Sequence, residues 1–368
     1  MWNKIKKIFK KIAILLLSII GVLLIFLTVL KVYSPGKLEQ LKNKDGNIIS
    51  NSLAEKNYIE IGGIRQGFFL RSENQENPVI LLLHGGPGSP ELAILYRYEI
   101  PERLEKYFTV CYWDQRGAGM SFSDSIDTST MTLEQIIEDT RQITEYLKQR
   151  FNQEKIYLMG HSWGSYLGIK TIEKYPDNYL AYIGIGQLTD QLESEKLAYD
   201  YMLQHAATIN DKSAIRNLEK FNRNASDFPT TDYIYTVRSS LMNKYGIGIM
   251  HKNFSMAGLF KDLLLFKGYT LFEKMNYFQG VVFSNEHLWN YVIGDNLFES
   301  STSFQVPVYI THGAFDYQVS YTLSHEYFEI IEAPEKHFFS FEKSAHSPNS
   351  EETEKFVQII NNIAAQKN

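Results

Sequence analysis

Lys155-Ile156-Tyr157-Leu158-Met159-Gly160-His161-Ser162-Trp163-Gly164-Ser165 changes character at its centre. Ile156 to Met159 is a short apolar run with β-formers at Ile156 and Tyr157, the mark of a buried strand. Beyond Ser162 the residues Tyr166, Leu167, Ile169 and Ile172 follow a helical pattern. Gly160-x-Ser162-x-Gly164 joins the two. A strand that turns directly into a helix leaves room only for small residues two before and two after the apex. The serine at the apex is then strained, with its hydroxyl exposed, which is the nucleophile-elbow pattern. The helix beginning there points its positive end at any oxyanion formed beside it. The plain alternative is a glycine-rich turn with an incidental serine, and the rest of the chain decides between them.

Working outward, Pro78 to Leu83 reads as a fully apolar strand running into His84-Gly85-Gly86-Pro87-Gly88. Phe108 to Trp113 is a second, running into Asp114-Gln115-Arg116-Gly117. Leu133, Ile136, Ile137, Ile143 and Leu147 share one helical face, and Tyr179 to Ile185 is another apolar strand. Tyr58 to Ile61 and Gly67 to Leu70 suit an antiparallel hairpin through Gly62-Gly63. This alternation predicts an α/β fold: a mostly parallel central sheet with helices on both faces. From about 187 to 304 the alternation stops. Helical patterns there (Leu192 to Leu203, Asp232 to Met242, Met256 to Leu271) predict an inserted helical cap. The core resumes with a strand at Val306 to Ile310, a helix at Tyr321 to Ile331, a strand at His337 to Phe341 and a helix at Glu351 to Ala364. The expected division is a basic tail and anchor over 1–31, a linker over 32–56, a core over 57–186 and 305–368, and a cap over 187–304.

The N-terminus carries Lys4, Lys6, Lys7, Lys10 and Lys11, and Ile12 to Leu30 has no charge. That run is long enough to cross a bilayer core as a helix. The lysines precede it, so the N-terminus is expected in the cytoplasm and the rest outside. A cleaved secretory signal is the other reading, but no small-x-small site follows Leu30. The net charge of -5 gives no sign of a nucleic-acid binder. Cys111 is the single cysteine, so no intrachain disulfide can form; it lies in an apolar run and reads as a core residue.

A serine hydroxyl is a poor nucleophile near neutral pH and needs a base, which in turn needs an orienting acid. In elbow proteins the order is serine, acid, histidine, with acid and histidine in loops after late strands. Asp316 lies beyond the Val306–Ile310 strand, and His346 lies beyond the His337–Phe341 strand. His346 is expected to take the Ser162 proton and Asp316 to hold the imidazole tautomer. The oxyanion donors are expected to be the backbone N–H groups of Trp163 and Gly86. Of the remaining histidines, His84 reads as a brace for its loop, His161 as packed and pointing away, and His312 as structural. His337 begins a strand and is a weak candidate for the base. Asp114 and Arg116 are expected to tie strand ends together as a charge-assisted pair. Acyl transfer by this route needs no metal or other cofactor.

Together, the motifs His84-Gly85-Gly86-Pro87-Gly88, Asp114-Gln115-Arg116-Gly117-Ala118-Gly119-Met120-Ser121 and Gly160-His161-Ser162-Trp163-Gly164 resemble the proline iminopeptidase branch of the α/β-hydrolase superfamily. The resemblance covers roughly residues 57–186 and 305–365. It implies a serine peptidase with a helical cap that removes N-terminal residues, often proline, from small peptides. It also implies that cap glutamates meet the substrate's free amine. The chain departs from one common type of these enzymes, since it has no Trp-x-x-Trp-Glu in the cap. Glu193, Glu195 and Glu286 are the candidates instead, each against the default of a solvated helix carboxylate. A carboxylic-ester hydrolase, such as an esterase or lactonase, would use the same triad. A non-catalytic sensor keeping the fold is a third reading, against which the complete triad argues. Dehalogenase and epoxide-hydrolase chemistry need an aspartate where Ser162 stands.

Overall fold

The computed structural model describes residues 2–367. An eight-stranded sheet carries the chain: β1 (Leu53–Ile61), β2 (Ile64–Ser72), β3 (Val79–Leu83), β4 (Thr109–Trp113), β5 (Ile156–His161), β6 (Tyr179–Ile185), β7 (Val308–Gly313) and β8 (Lys336–Phe341). The spatial order is β1-β2-β4-β3-β5-β6-β7-β8. β1 and β2 pair antiparallel, as do β2 and β4; every other pair is parallel. The chain goes from β3 to β4 on one side, then returns to lay β5 on the other. At such a reversal the loops leaving the carboxyl ends of β3 and β5 diverge and open a crevice. Those two loops are the glycine-rich 84–88 segment and the serine turn.

Side-chain alternation explains the two covering layers. Val79, Leu81 and Leu83 of β3 join one buried cluster, with residues of the helices Leu133–Phe151, Trp163–Lys174 and Tyr321–Ile330. Ile80 and Leu82 join the opposite cluster, with Leu92, Leu104 and the helix Thr353–Lys367. Successive strand residues face opposite ways, so a strand apolar at every position must be covered on both faces. The helix Leu133–Phe151 is bounded by its own chemistry: the Thr132 hydroxyl accepts from Gln135 N at 3.2 Å, and Asn152 closes the end at φ 50°.

Between β6 and β7 the chain leaves the sheet. The inserted cap has its own small core, including Tyr199, Met202, Leu218, Phe228, Tyr233 and Ile247. One helical pattern is longer in the sequence than in the fold, and another is interrupted by a change of helical pitch. Met256–Leu265 stops before Phe266–Tyr269, whose rings are buried against Phe69, and a new helix, Leu271–Gly294, starts at a Thr270–Glu273 capping box. Thr231 to Lys244 is divided by a wider helical turn over Ile234–Arg238. At the other end β1 starts at Leu53, taking in residues 53–56 that composition assigns to the linker. It is a half-buried edge strand carrying Glu55, Lys56 and Asn57, and polar edges lack the apolar signature of a strand.

The N-terminal helix Trp2–Val32 is exposed at nearly every residue from Ile5 to Val32. Its candidate membrane segment, Ile5–Val32, has 28 residues, of which the uncharged run from Ile12 to Leu30 reaches about 28 Å at 1.5 Å per residue. That matches the roughly 30 Å hydrocarbon thickness of a bilayer.

Candidate active site

Ser162 stands between β5 and the helix Trp163–Lys174 at φ 55°, ψ -119°, a conformation that side chains with a Cβ rarely adopt. The flanking glycines permit it. A Cβ on Gly160 would meet the Gly164 carbonyl, and a Cβ on Gly164 would run into the Leu83 and His84 carbonyl groups. Ser162 N–H donates to the Ile185 carbonyl at 2.9 Å, so the serine is fastened to the end of β6. Ser162, Trp163 and Gly86 all line one cavity of about 620 Å³ beneath the cap.

Asp316 and His346 come from loops beyond β7 and β8. His346 Nδ1 lies 2.8 Å from Asp316 Oδ2. A carboxylate only accepts, so Nδ1 carries the hydrogen and Nε2 keeps its lone pair. Among the described residues, Nε2 is a buried nitrogen with no hydrogen-bond partner, Ser162 included. The imidazole packs on Gly186, directly after the strand end that holds the serine: a Cβ there would stand 3.0 Å from His346 Cε1. Asp316 is further held by Val319 N–H at 2.9 Å and His312 Nε2 at 3.1 Å. Burial alone would raise its carboxyl, but the two histidines hold it well below the usual carboxylate range. Burial pushes His346 down, against the pull of Asp316, so the ring is neutral near pH 7.

The cap and the C-terminal segment brace these loops. His346 N–H donates to the Gly248 carbonyl and Tyr317 N–H to the Ile247 carbonyl, both at 3.1 Å. Glu351 accepts from the backbone N–H groups of Ala345 and His251. None of this was visible in the sequence, because a loop carbonyl carries no residue signature.

The loop after β3 lies against the serine, since a Cβ on Gly85 would come 3.3 Å from Ser162 Cβ. His84 braces it as expected. Its Nε2 accepts Gln115 N–H at 3.1 Å, and burial lowers its pKa to about 4. His161 is packed but does not point away. Its ring centroid is 4.9 Å from that of His346, and its Nε2 donates to the His346 carbonyl at 3.0 Å. Its Nδ1 meets Glu91 Oε1 at 2.7 Å, and the same oxygen accepts Gly85 N–H at 2.8 Å. With hydrogen on both ring nitrogens, His161 is an imidazolium paired with a buried carboxylate. Burial would lower it, but the Glu91 charge and hydrogen bond outweigh that and raise it above its ordinary value. Sequence reasoning passed over Glu91; its place in a short polar break after the glycine-rich loop was the one available hint.

Arg116 does not pair with Asp114. It makes a two-point pair with buried Asp139 at 2.7 and 3.1 Å and reaches the Gly62 carbonyl at 2.8 Å. Asp114 instead accepts from Met120 N–H and Tyr269 Oη–H, both at 2.8 Å. The two side chains leave adjacent turns on different sides, one toward the hairpin and the other toward the cap.

The three cap glutamates part company. Glu193 is half-buried, in an ion pair with Lys196, and does not line the cavity. Glu195 is fully buried, but Arg238 takes both of its oxygens at 2.6 Å, so it has no charge to offer an amine. Glu286 lines the cavity and is the one carboxylate there among the described residues. The rest of the wall is mainly apolar, including Leu188, Ile234, Val281, Trp289 and Val319. Arg238 and Gln191, also in that wall, were missed because nothing in the sequence pairs them with Glu195.

The α/β-hydrolase fold family model matches residues 78–353. A protein named probable aminopeptidase YbaC, from Bacillus subtilis (strain 168), is 32% identical over 314 residues, covering 85% of this chain and 97% of its own. A proline iminopeptidase of Heyndrickxia coagulans is 26% identical over 310 residues, covering 82% and 96%. The crystal structure of the Mycobacterium smegmatis proline iminopeptidase superposes with a TM-score of 0.61 over 85% of this chain and 98% of that one; at 13% identity it speaks to the fold alone. The chain belongs to the α/β-hydrolase fold family, in its proline iminopeptidase-like branch.

Proposed function

We propose that this hydrolase is a membrane-anchored serine aminopeptidase that cleaves N-terminal residues from short peptides, with Ser162, His346 and Asp316 as its triad. The observation that carries the reading is the bare, buried Nε2 of His346 at the strand end that holds Ser162, its other nitrogen fixed on Asp316. Nε2 accepts the Ser162 proton as Oγ bonds to the substrate carbonyl carbon. The oxyanion is met by the Trp163 and Gly86 N–H groups. His346 then returns the proton to the leaving amine, and the carbon–nitrogen bond breaks to give an acyl-enzyme. Water, deprotonated by the same nitrogen, releases the acid and restores the serine. Hydrogen bonds in such sites commonly tighten only once substrate is bound.

Glu286 at the cavity wall supports recognition of a free amine, and the names of the relatives support the same class. The long apolar N-terminal helix supports anchoring, with the lysines on the cytoplasmic side and the catalytic domain outside. A second reading, a carboxylic-ester hydrolase, is favoured by the apolar wall and by the neutralised Glu195. The test measures amine and acid release from a panel of aminoacyl amides, dipeptides and short-chain esters. Faster turnover of substrates with a free amine supports the peptidase; preference for acylated esters overturns it. Turnover retained by Ser162→Ala would overturn the mechanism itself.

A further inference from the structure

The point where the N-terminal helix ends is stitched to the cap. Lys274 is buried, and its Nζ donates to the Tyr33 carbonyl at 2.8 Å, Ser34 Oγ at 3.0 Å and the Leu264 carbonyl at 2.5 Å. Pro35 bridges Thr270, and Lys37 N–H donates to the Lys267 carbonyl at 3.0 Å. The first residues beyond the apolar helix are therefore tied to the first turn of the cap helix Leu271–Gly294.

Over its first three turns that cap helix is mainly apolar on its outward side, with Gln279 the polar exception and Glu286 following one turn after Val282. Phe272 is 70% exposed, Met275 55% and Val282 55%, with Phe278 also exposed. Their spacing of three and four residues puts them on one stripe. The neighbouring helix Met256–Leu265 exposes Met256, Phe260 and Leu265, and the Phe260 and Phe278 rings stack at 5.0 Å, joining the two faces. The inward side of the long helix is already spent on Tyr277, Leu288 and Val292. A contiguous apolar face of this kind marks an interaction surface, and this one begins where the chain leaves the anchor. Lys37, Lys42 and Lys44 are exposed on the segment that follows the anchor, and exposed Lys261 lies on the helix Met256–Leu265, cations that can meet anionic headgroups; Lys267 is already paired with Glu39.

We infer that this face of the cap rests in the headgroup layer of the bilayer that holds the N-terminal helix, with the cavity mouth at Val282 and Tyr235 opening onto the lipid surface. The inference rests on the proposed reading of Ile12–Leu30 as a membrane span. An amphipathic face of this type sinks roughly 5–10 Å into the interface. Val282 both lines the cavity and ends the exposed stripe, so docking would bring lipid-partitioned peptides close to Ser162.

The test uses the full-length chain in vesicles of phosphatidylcholine and phosphatidylglycerol. Met275→Cys, Val282→Cys and Leu17→Cys each receive an environment-sensitive fluorophore; the native Cys111 is sealed in the core. Quenching by nitroxide lipids is compared with quenching by aqueous iodide. The labels at 275 and 282 are expected to lose most of their emission to the lipid quencher and to resist iodide. Lipid quenching at 17 alone, with iodide reaching 275 and 282, keeps the anchor and overturns the docking. Resistance to both quenchers at 275 and 282 assigns the face to a protein partner or a second copy and also overturns it. No lipid quenching at any of the three positions overturns anchor and docking together.

Discussion

Replacing Glu91 with glutamine removes one buried charge and should move the pH profile of the enzyme. The neighbouring imidazolium of His161 lies 4.9 Å from the His346 ring, centroid to centroid. At an effective dielectric of about 20, two unit charges at that distance repel by about 3 kcal/mol, or roughly 2.5 pK units. Glu91, bonded to the far nitrogen of His161, offsets much of this, and the remainder holds His346 down. Asp316 pulls the other way and His312 adds a smaller push downward. In Glu91→Gln, His161 loses its counter-ion and becomes neutral, with one ring hydrogen for two acceptors. His346 is then easier to protonate, so its pKa rises. The base form of His346 exists only above that value, so the acid limb of kcat/KM moves toward higher pH, by less than the roughly 2.5 units of the uncompensated repulsion. The glutamine oxygen can still accept Gly85 N–H, so the plateau at high pH should fall by no more than about tenfold. The assay is the pH dependence of kcat/KM for the best substrate of the panel, with folding checked by circular dichroism. An acid limb that stays in place in a folded variant would refute the assignment of charge to His161.

Glu286→Gln should raise KM about tenfold for substrates with a free amine and leave acetyl esters unaffected, by steady-state kinetics on matched pairs. Glu195→Ala should instead cost about 3–5 kcal/mol of stability in denaturant melts, because it strands the buried Arg238 charge. Gly164→Ala drives a methyl into the Leu83 carbonyl; a loss of at least about 3 kcal/mol is expected, and unchanged stability would contradict the packing. Asp114 is raised to about 7, first by burial, so the folded chain binds more protons than the unfolded chain between about pH 4 and 7. Its contribution to stability therefore declines as pH climbs through that window, and Asp114→Asn should flatten the fall in Tm from pH 5 to 8.

The parts of the fold legible in the sequence were those with redundant physical signals. A fully apolar strand such as Val79–Leu83 can only sit in the middle of a covered sheet, and Gly160 and Gly164 at fixed offsets from Ser162 have few uses other than a tight strand–helix turn. Asp316 and His346 could be read because each follows a core strand. The cap was less legible: its helices pack on each other and on loops, so Glu193, Glu195 and Glu286 looked equivalent until Arg238 was seen to occupy one of them. Arg116 and Asp139 are 23 positions apart in the chain and nothing local links them, whereas Asp114 was the nearer and wrong partner. Glu91 was invisible for the same reason: its partners, His161 and Gly85, meet it only through the fold.

The backbone angle of Ser162 sets durability against turnover at a single position. Glycine would occupy φ 55° without strain, and the chain would relax by about 1 kcal/mol. It would also lose the alcohol proposed to attack a carbonyl in that cavity. The tension stored in this turn is thus held in place by its neighbours: Leu83 and His84 press on one flank and Gly160 on the other, and they leave the residue nowhere to unwind.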